Sequence, residues 1–94
     1  GNANQSIQKV AIACGSAGSF LATANRHGCD LFITGETTFH TCLEAEATGI
    51  GLLLVGHYAS ERFACENLAE RLAAEFADAT VWASENEHDP LQLV

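Results

Sequence analysis

Three short apolar runs, each ended by glycine and each followed by a helix-forming stretch, constrain the fold of this chain more than any other feature. The runs occupy residues 9–14, 30–34 and 50–55, and the glycines that end them are Gly15, Gly35 and Gly56. Continuous apolar runs that alternate with helices are typical of parallel sheets with both faces covered. The sequence therefore predicts an α/β fold.

The stretches between and after these runs complete the predicted order of strands and helices. Helical patterns occupy residues 20–27, a segment capped by Thr37 or Thr38 that ends near residue 48, and residues 60–76. A last apolar, β-branched run at residues 79–83 predicts a fourth strand. We predict a mainly parallel sheet of about four strands with helices on both faces. We expect one domain, residues 1–94, with a polar tail from about residue 85.

The polar residues of this chain cluster where the predicted strands turn into helices. Right-handed crossovers place such turns along one edge of a parallel sheet, and ligands bind at that edge. Six polar residues lie in the three turns or just after them: Ser16, Ser19, Glu36, His40, His57 and Glu61. We therefore look for the functional site there.

Composition excludes several classes of protein. The formal net charge is −8, from 4 basic and 12 acidic residues, which argues against a nucleic acid or an anionic membrane as partner. No apolar run is long enough for a membrane helix. No two of the four cysteines form a C-x-x-C pair, and each lies in an apolar or helical stretch, which argues against a zinc ribbon or a disulfide framework. We therefore expect reduced thiols in a cytoplasmic protein, with Cys14 in the core.

His57 and Glu61 are the first candidate site. The apolar stripe of the third predicted helix, extended back one turn from Cys65, reaches Glu61, so the sequence predicts that this carboxylate points inward. A histidine and a carboxylate four residues apart can bind one metal ion. The alternative is that Glu61 is a solvated first-turn carboxylate, favoured by the helix dipole, and that His57 is an ordinary turn residue.

Two further features could carry chemistry. Glu36 and His40 form a second acid–histidine pair with the same spacing, and capping or surface roles are the alternative. The loop at residues 15–19 offers backbone N–H groups at a helix start, where an anion such as a nucleotide phosphate could bind. It lacks the lysine of a Walker A loop, and a plain tight turn is the alternative.

Four segments of the sequence, in this order and at this spacing, resemble one family. They are residues 13–19 (ACGSAGS), residues 33–36 (ITGE) followed by His40, residues 56–62 (GHYASER), and Asp89-Pro90. The chain resembles the dinuclear-metal family known as GTP cyclohydrolase I type 2-like or NGG-one-interacting-factor-three-like. The resemblance covers about residues 10–91 and corresponds to the C-terminal part of a typical member.

The resemblance implies a site and a chemistry. His57 and Glu61 match the family residues that bind a pair of divalent metals, with zinc, iron and manganese all suitable. Glu36 and His40 match a segment that lines the same cleft, so the resemblance implies that they orient the metal ligands or contact the substrate in catalysis. The family also implies a homo-oligomer, with a hexamer for the intact protein, and a metal-dependent hydrolase acting on a small molecule.

One departure from the family pattern limits what this chain can do alone. The resemblance implies further ligands, a His-His pair and an aspartate, from an N-terminal part, and this sequence contains no His-His pair. Two protein ligands bind a metal weakly, so we expect the chain by itself to be inactive. The open alternative is a non-catalytic assembly or protein-interaction module with the same fold.

Overall fold

The computed structural model describes residues 2–92. The chain divides into two compact units, Gly1–Ser60 and Glu61–Val94, and each is described by itself. The elements, in chain order, are β1 (Val10–Ala13), a 3-10 turn (Gly18–Phe20), α1 (Leu21–Arg26), β2 (Leu31–Thr34), α2 (Phe39–Thr48), β3 (Gly51–Leu54) and α3 (His57–Glu75). The single-domain assignment stays a prediction, and the last two residues of the predicted polar tail lie outside the described residues.

The sheet of the first unit is parallel, as the apolar runs predict. Its order is β1-β2-β3, with both pairs parallel. The register aligns Ala11, Phe32 and Leu52 across the three strands, and Ile12, Ile33 and Leu53 one position further on. The α/β class is therefore confirmed, with three strands in the described part of the chain.

Helices α1 and α2 pack on the same face of this sheet. Phe32, only 1% exposed, clusters with Leu21 and Ala24 of α1 and Ala45 of α2. The strand order explains this arrangement, because two successive right-handed crossovers in the same direction place both helices on one side. On the opposite face, Ile12 is 73% exposed.

Residues with capping geometry lie at both ends of α2 and at the end of α1. Thr38 caps α2, and its hydroxyl accepts a hydrogen bond from the Thr41 amide at 3.4 Å. Gly49 ends α2 with φ 76°, and Gly28 follows α1 with φ 67°. Both are the left-handed positions that end helices and that glycine occupies without steric cost. Of the two capping positions predicted for α2, Thr37 and Thr38, the structure confirms Thr38.

The predicted fourth strand is wrong. Residues 79–83 of the second unit form no strand, and Trp82, in the middle of this segment, is 69% exposed. A strand needs a hydrogen-bonded neighbour, and within residues 2–92 the sheet ends at β3. The long helix α3 begins at His57, three residues before its predicted start, and none of its described residues is buried.

Two further expectations concern membranes and thiols. Among residues 2–92, no helix combines the length and the apolar character needed to cross a bilayer. All four cysteines are free thiols in the structure. Cys14, predicted to lie in the core, is exposed, because it follows the last residue of β1 at the edge of the sheet.

Candidate functional site

The candidate site lies where β2 and β3 end. Both strands are parallel, so their carboxyl ends share one edge of the sheet. Glu36 comes two residues after β2, in the segment that leads to α2. His57 comes three residues after β3 and is the first residue of α3. The topology therefore brings together two side chains that are 21 residues apart in sequence.

Glu36 and His57 form a direct side-chain pair. The Nδ1 atom of His57 lies 3.0 Å from Oε1 of Glu36, and the two side chains are 44% and 47% exposed, respectively. A carboxylate can only accept, so this contact requires a proton on Nδ1. In the neutral ring, the lone pair then resides on Nε2. At this exposure the pair adds little to folding stability, so we interpret the contact as one that orients the imidazole.

The backbone around this pair is closely packed at Gly35. A Cβ atom at Gly35 would lie 2.9 Å from the Gly15 carbonyl oxygen and 3.1 Å from Cα of His57. The Gly35 carbonyl accepts a hydrogen bond from the Gly56 amide at 3.0 Å. Gly56 itself has φ 82°, which favours glycine there. Two glycines thus let the turn after β2 approach the turn after β3.

Glu61 lies one turn along α3 from His57. Both residues belong to α3, four positions apart, because the helix starts earlier than predicted, and Glu61 is half-buried. The predicted inward orientation of the apolar stripe that follows it is wrong, because Cys65, Leu68 and Leu72 are all exposed. The stripe therefore gives no support to an inward direction for Glu61.

His40 does not join this pair. It is the second residue of α2 and is exposed. Within residues 2–92, His40 makes no hydrogen bond or ion pair with Glu36, the residue with which its spacing associates it. The sequence associated Glu36 with His40, four residues further along the chain, whereas the structure pairs it with His57, which follows the adjacent strand β3.

The loop at residues 15–19 is tied to β2. The Ala17 amide donates to the Thr34 hydroxyl at 3.3 Å, and the Gly15 carbonyl accepts from the same hydroxyl at 2.9 Å. An N–H group that is already bonded inside the protein is not available to a phosphate. The bond at the Ala17 amide favours the tight-turn interpretation at that position of the loop.

Sequence reasoning missed two residues with extensive polar contacts. Thr34 is the first, and its signal is a hydroxyl in an otherwise apolar strand. Arg62 is the second: its guanidinium pairs with Glu87 at 3.0 Å and with Glu66 at 3.4 Å, and donates to the Ser84 carbonyl. The spacing of four residues to Glu66 could have indicated part of this set.

The donor atoms present do not complete a metal site by themselves. Among residues 2–92 there is no group of three or more histidine, cysteine, aspartate or glutamate side chains able to hold a metal ion. A cleft of about 380 Å³ is lined mainly by apolar side chains of β1 and α1, and neither Glu36 nor His57 lines it. The candidate site is centred on Glu36 and His57 because these two side chains are in direct contact.

Comparisons with known proteins agree on one family. The family model described as Duf34/NIF3 (NGG1p interacting factor 3) matches residues 1–90. A GTP cyclohydrolase 1 type 2 homolog from Clostridium perfringens is 32% identical over the whole chain, which corresponds to 36% of that protein. A NIF3 homolog from Schizosaccharomyces pombe is 38% identical over 90% of the chain, and the matched region makes up 31% of that protein.

A solved structure shows the same fold. A Staphylococcus aureus protein superimposes on this chain with a TM-score of 0.85 and 33% sequence identity. The superposition covers all of this chain and 32% of the Staphylococcus aureus chain. The chain thus spans about a third of the length of the relatives it matches.

Proposed function

Because the chain belongs to the DUF34/NIF3 family, we propose that it is the metal-binding part of a dinuclear-metal, hydrolase-like protein. His57 and Glu61 are its ligands for divalent metal. The observation that carries the proposal is the 3.0 Å contact between Glu36 and Nδ1 of His57. Histidines that bind metals almost always donate their second ring N–H to a carboxylate, carbonyl or water, which fixes the tautomer.

The donor set fits a divalent metal of the zinc, iron or manganese type. An imidazole nitrogen and a carboxylate oxygen suit all three ions. Here Glu36 occupies the Nδ1 side of the His57 ring, so Nε2 is the ligand atom. Glu61, four residues further along α3, supplies the second donor.

Glu36 and His40 have supporting roles in this proposal. Glu36 accepts the Nδ1 proton of His57, holds the ring in one orientation and raises its basicity as a ligand. His40, exposed near the start of α2, contacts substrate or moves a proton. A bound divalent metal would supply Lewis-acid polarisation of a substrate oxygen and activation of water at neutral pH.

Two ligands do not make a stable centre. Structural zinc sites use four protein ligands and catalytic sites use three. The described residues offer no third one close enough to join them. The proposal therefore requires ligands from outside residues 2–92, and we expect the chain alone to bind metal weakly and to be inactive. In its complete form the protein would act on a small molecule rather than on nucleic acid, in keeping with the charge of −8.

A second candidate function is a non-catalytic assembly or protein-interaction module. Exposed apolar side chains on one face of the sheet and along α3, together with the missing third ligand, favour it. In both proposals the intact protein is a cytoplasmic homo-oligomer, with a hexamer as the expected size. The four free thiols agree with a reducing compartment.

Metal titration tests the first proposal. We would add Co²⁺ to the chain and follow the imidazole signals of its four histidines by NMR, with affinity measured by calorimetry. We expect a saturable change centred on His57, lost in His57→Ala and weakened at least about 10-fold in Glu61→Gln. The control is His88→Ala, which removes an exposed imidazole and leaves the titration unchanged.

A matched pair of variants tests the part played by Glu36. Glu36→Leu removes the acceptor and is expected to weaken Co²⁺ binding about 10- to 100-fold. Glu36→Gln keeps an oxygen that accepts the Nδ1 proton and is expected to retain most of the affinity. Equal responses from all four histidines would contradict the metal proposal. A Glu61→Gln variant that changes the subunit number by native mass spectrometry without changing Co²⁺ binding would favour the assembly module.

A further inference from the structure

Thr34 is the one described polar side chain that is buried in this protein, and none of the roles given above uses it. It is the last residue of β2 and is 1% exposed. Its hydroxyl donates to the Gly15 carbonyl at 2.9 Å and accepts from the Ala17 amide at 3.3 Å. A buried hydroxyl with both a donor bond and an acceptor bond is held in one orientation.

The Gly15 carbonyl is the common anchor of the turn after β2. Besides the Thr34 hydroxyl, it accepts hydrogen bonds from the Gly35 amide at 3.0 Å and from the Glu36 amide at 3.2 Å. Three donors on one oxygen leave little freedom for the peptide that carries it. The backbone of Glu36, one member of the site pair, is thereby fixed to the end of β1.

The other member of the pair is fixed through the same short segment. The Val55 amide donates to the Thr34 carbonyl at 3.1 Å, and the Gly56 amide donates to the Gly35 carbonyl at 3.0 Å. Gly56 immediately precedes His57. The backbone of residues 34–36 therefore sets the position of Glu36 directly and the position of His57 through the turn after β3.

From this geometry we propose that Thr34 is a positioning residue for the Glu36–His57 pair. Its hydroxyl orients the Gly15 carbonyl, which anchors Glu36 so that the carboxylate meets Nδ1 of His57. The inference rests on the proposed function, since a fixed Nδ1–H tautomer directs the Nε2 lone pair toward metal. It adds a buried residue that touches neither metal nor substrate.

The tautomer of His57 in the metal-free chain is the test. Long-range ¹H–¹⁵N NMR spectra report which ring nitrogen carries the proton, at a pH of about 8 where an ordinary imidazole is neutral. The His57 signals are assigned by their loss in His57→Ala. We expect the Nδ1–H form to dominate in the wild-type chain and to lose that dominance in Thr34→Val, which keeps the shape and removes the hydroxyl.

Two further variants separate positioning from general packing. Thr34→Ser keeps the hydroxyl and is expected to restore the wild-type tautomer ratio. Thr48→Val removes a threonine hydroxyl that donates to the Glu44 carbonyl at 2.8 Å in α2, and is expected to leave His57 unchanged. If Thr34→Val does not fold, Thr34→Cys replaces it, because a thiol is a weak donor of similar size and should give an intermediate ratio.

The possible outcomes separate this inference from the metal proposal. A folded Thr34→Val or Thr34→Cys chain with the wild-type ratio overturns the positioning role. A shifted ratio in Thr34→Ser overturns it too, because the hydroxyl would not be the cause. A wild-type chain that shows the expected tautomer and binds no Co²⁺ overturns the metal proposal alone.

Discussion

Asp30 connects the segment that enters β1 to the start of β2. Its carboxylate oxygen Oδ2 accepts hydrogen bonds from the Gln8 amide at 2.9 Å and from the Lys9 amide at 2.8 Å. These two bonds favour the charged carboxylate and hold the pKa of Asp30 below its ordinary value of 3.8. This acidic side chain lies at the end of the sheet opposite the candidate site.

The pKa of Asp30 predicts how stability depends on pH. A carboxyl whose pKa is lower in the folded state stabilises the fold above its ordinary pKa, and this contribution is lost as pH falls through the lowered value. Asp30→Asn removes the titrating group. We expect the wild-type advantage in urea midpoint over Asp30→Asn to shrink as pH falls from about 6 to about 3.

A matched control uses another acidic residue. Asp78 lies in a turn after α3, and among residues 2–92 its carboxylate makes no hydrogen bond to a backbone amide. Asp78→Asn removes one negative charge without removing an acceptor of backbone amide hydrogen bonds, and its midpoint is measured beside that of Asp30→Asn at each pH. A constant difference between the wild type and Asp30→Asn at every pH would contradict the role of the two amide hydrogen bonds.

The candidate site shows how far residue-level reasoning goes from sequence alone. The sequence indicates Glu36 and His57 as candidate site residues because each follows a predicted strand and a glycine. Their direct contact could not be inferred, because a spacing of four residues only relates positions that are close along the chain. This pair instead connects the segments that follow two neighbouring strands, β2 and β3. Thr34 was missed for a related reason: its hydroxyl matters through a carbonyl 19 residues away.

At the scale of elements, α2 depends on signals at both of its ends. Thr38 accepts from the Thr41 amide, and Gly49 ends the helix in the left-handed conformation. We expect Thr38→Ala to lower the free energy of unfolding by about 1 kcal/mol, because a donor of the first turn loses its partner. Urea unfolding measures this change. Thr38→Ser, which keeps the capping oxygen, should remain near wild type, and an equal loss in both variants would argue against a capping role.

The elements that were predicted correctly are those with local signals. Caps and glycines in the left-handed conformation act within one turn, so the ends of α2 could be inferred from a few neighbouring residues. The predicted fourth strand had no comparable local signal. Residues 79–83 have the composition of a strand, but strand formation depends on a partner that sequence does not identify.

At the scale of the whole chain, the two faces of the sheet differ. Apolar residues occur on both faces of the strands, so the sequence suggests that both are covered. The order β1-β2-β3 places α1 and α2 together, and Val10, Ile12 and Leu53 on the other face are exposed. Strand order is a long-range property, and this is why composition could not reveal which face stays exposed.

The uneven burial along the chain predicts uneven local stability. Amides are protected from hydrogen exchange by structure that must open, and opening costs most where apolar side chains are buried. In β2, Phe32 and Thr34 are almost fully buried, whereas the described residues of α3 include none that is buried. We therefore expect the amides of β2 to exchange with the slowest rates in the chain and those of α3 to exchange much faster.

Hydrogen exchange measured by NMR as a function of urea checks this prediction. If opening of α3 is local, its exchange should depend only weakly on urea, because little surface is exposed, while exchange in β2 should follow global unfolding. The helix α2 provides the internal control, since it buries Ala45 and should exchange more slowly than α3. Equal protection and equal urea dependence in α3 and β2 would show instead that α3 unfolds together with the sheet, and that burial of its side chains does not govern its stability.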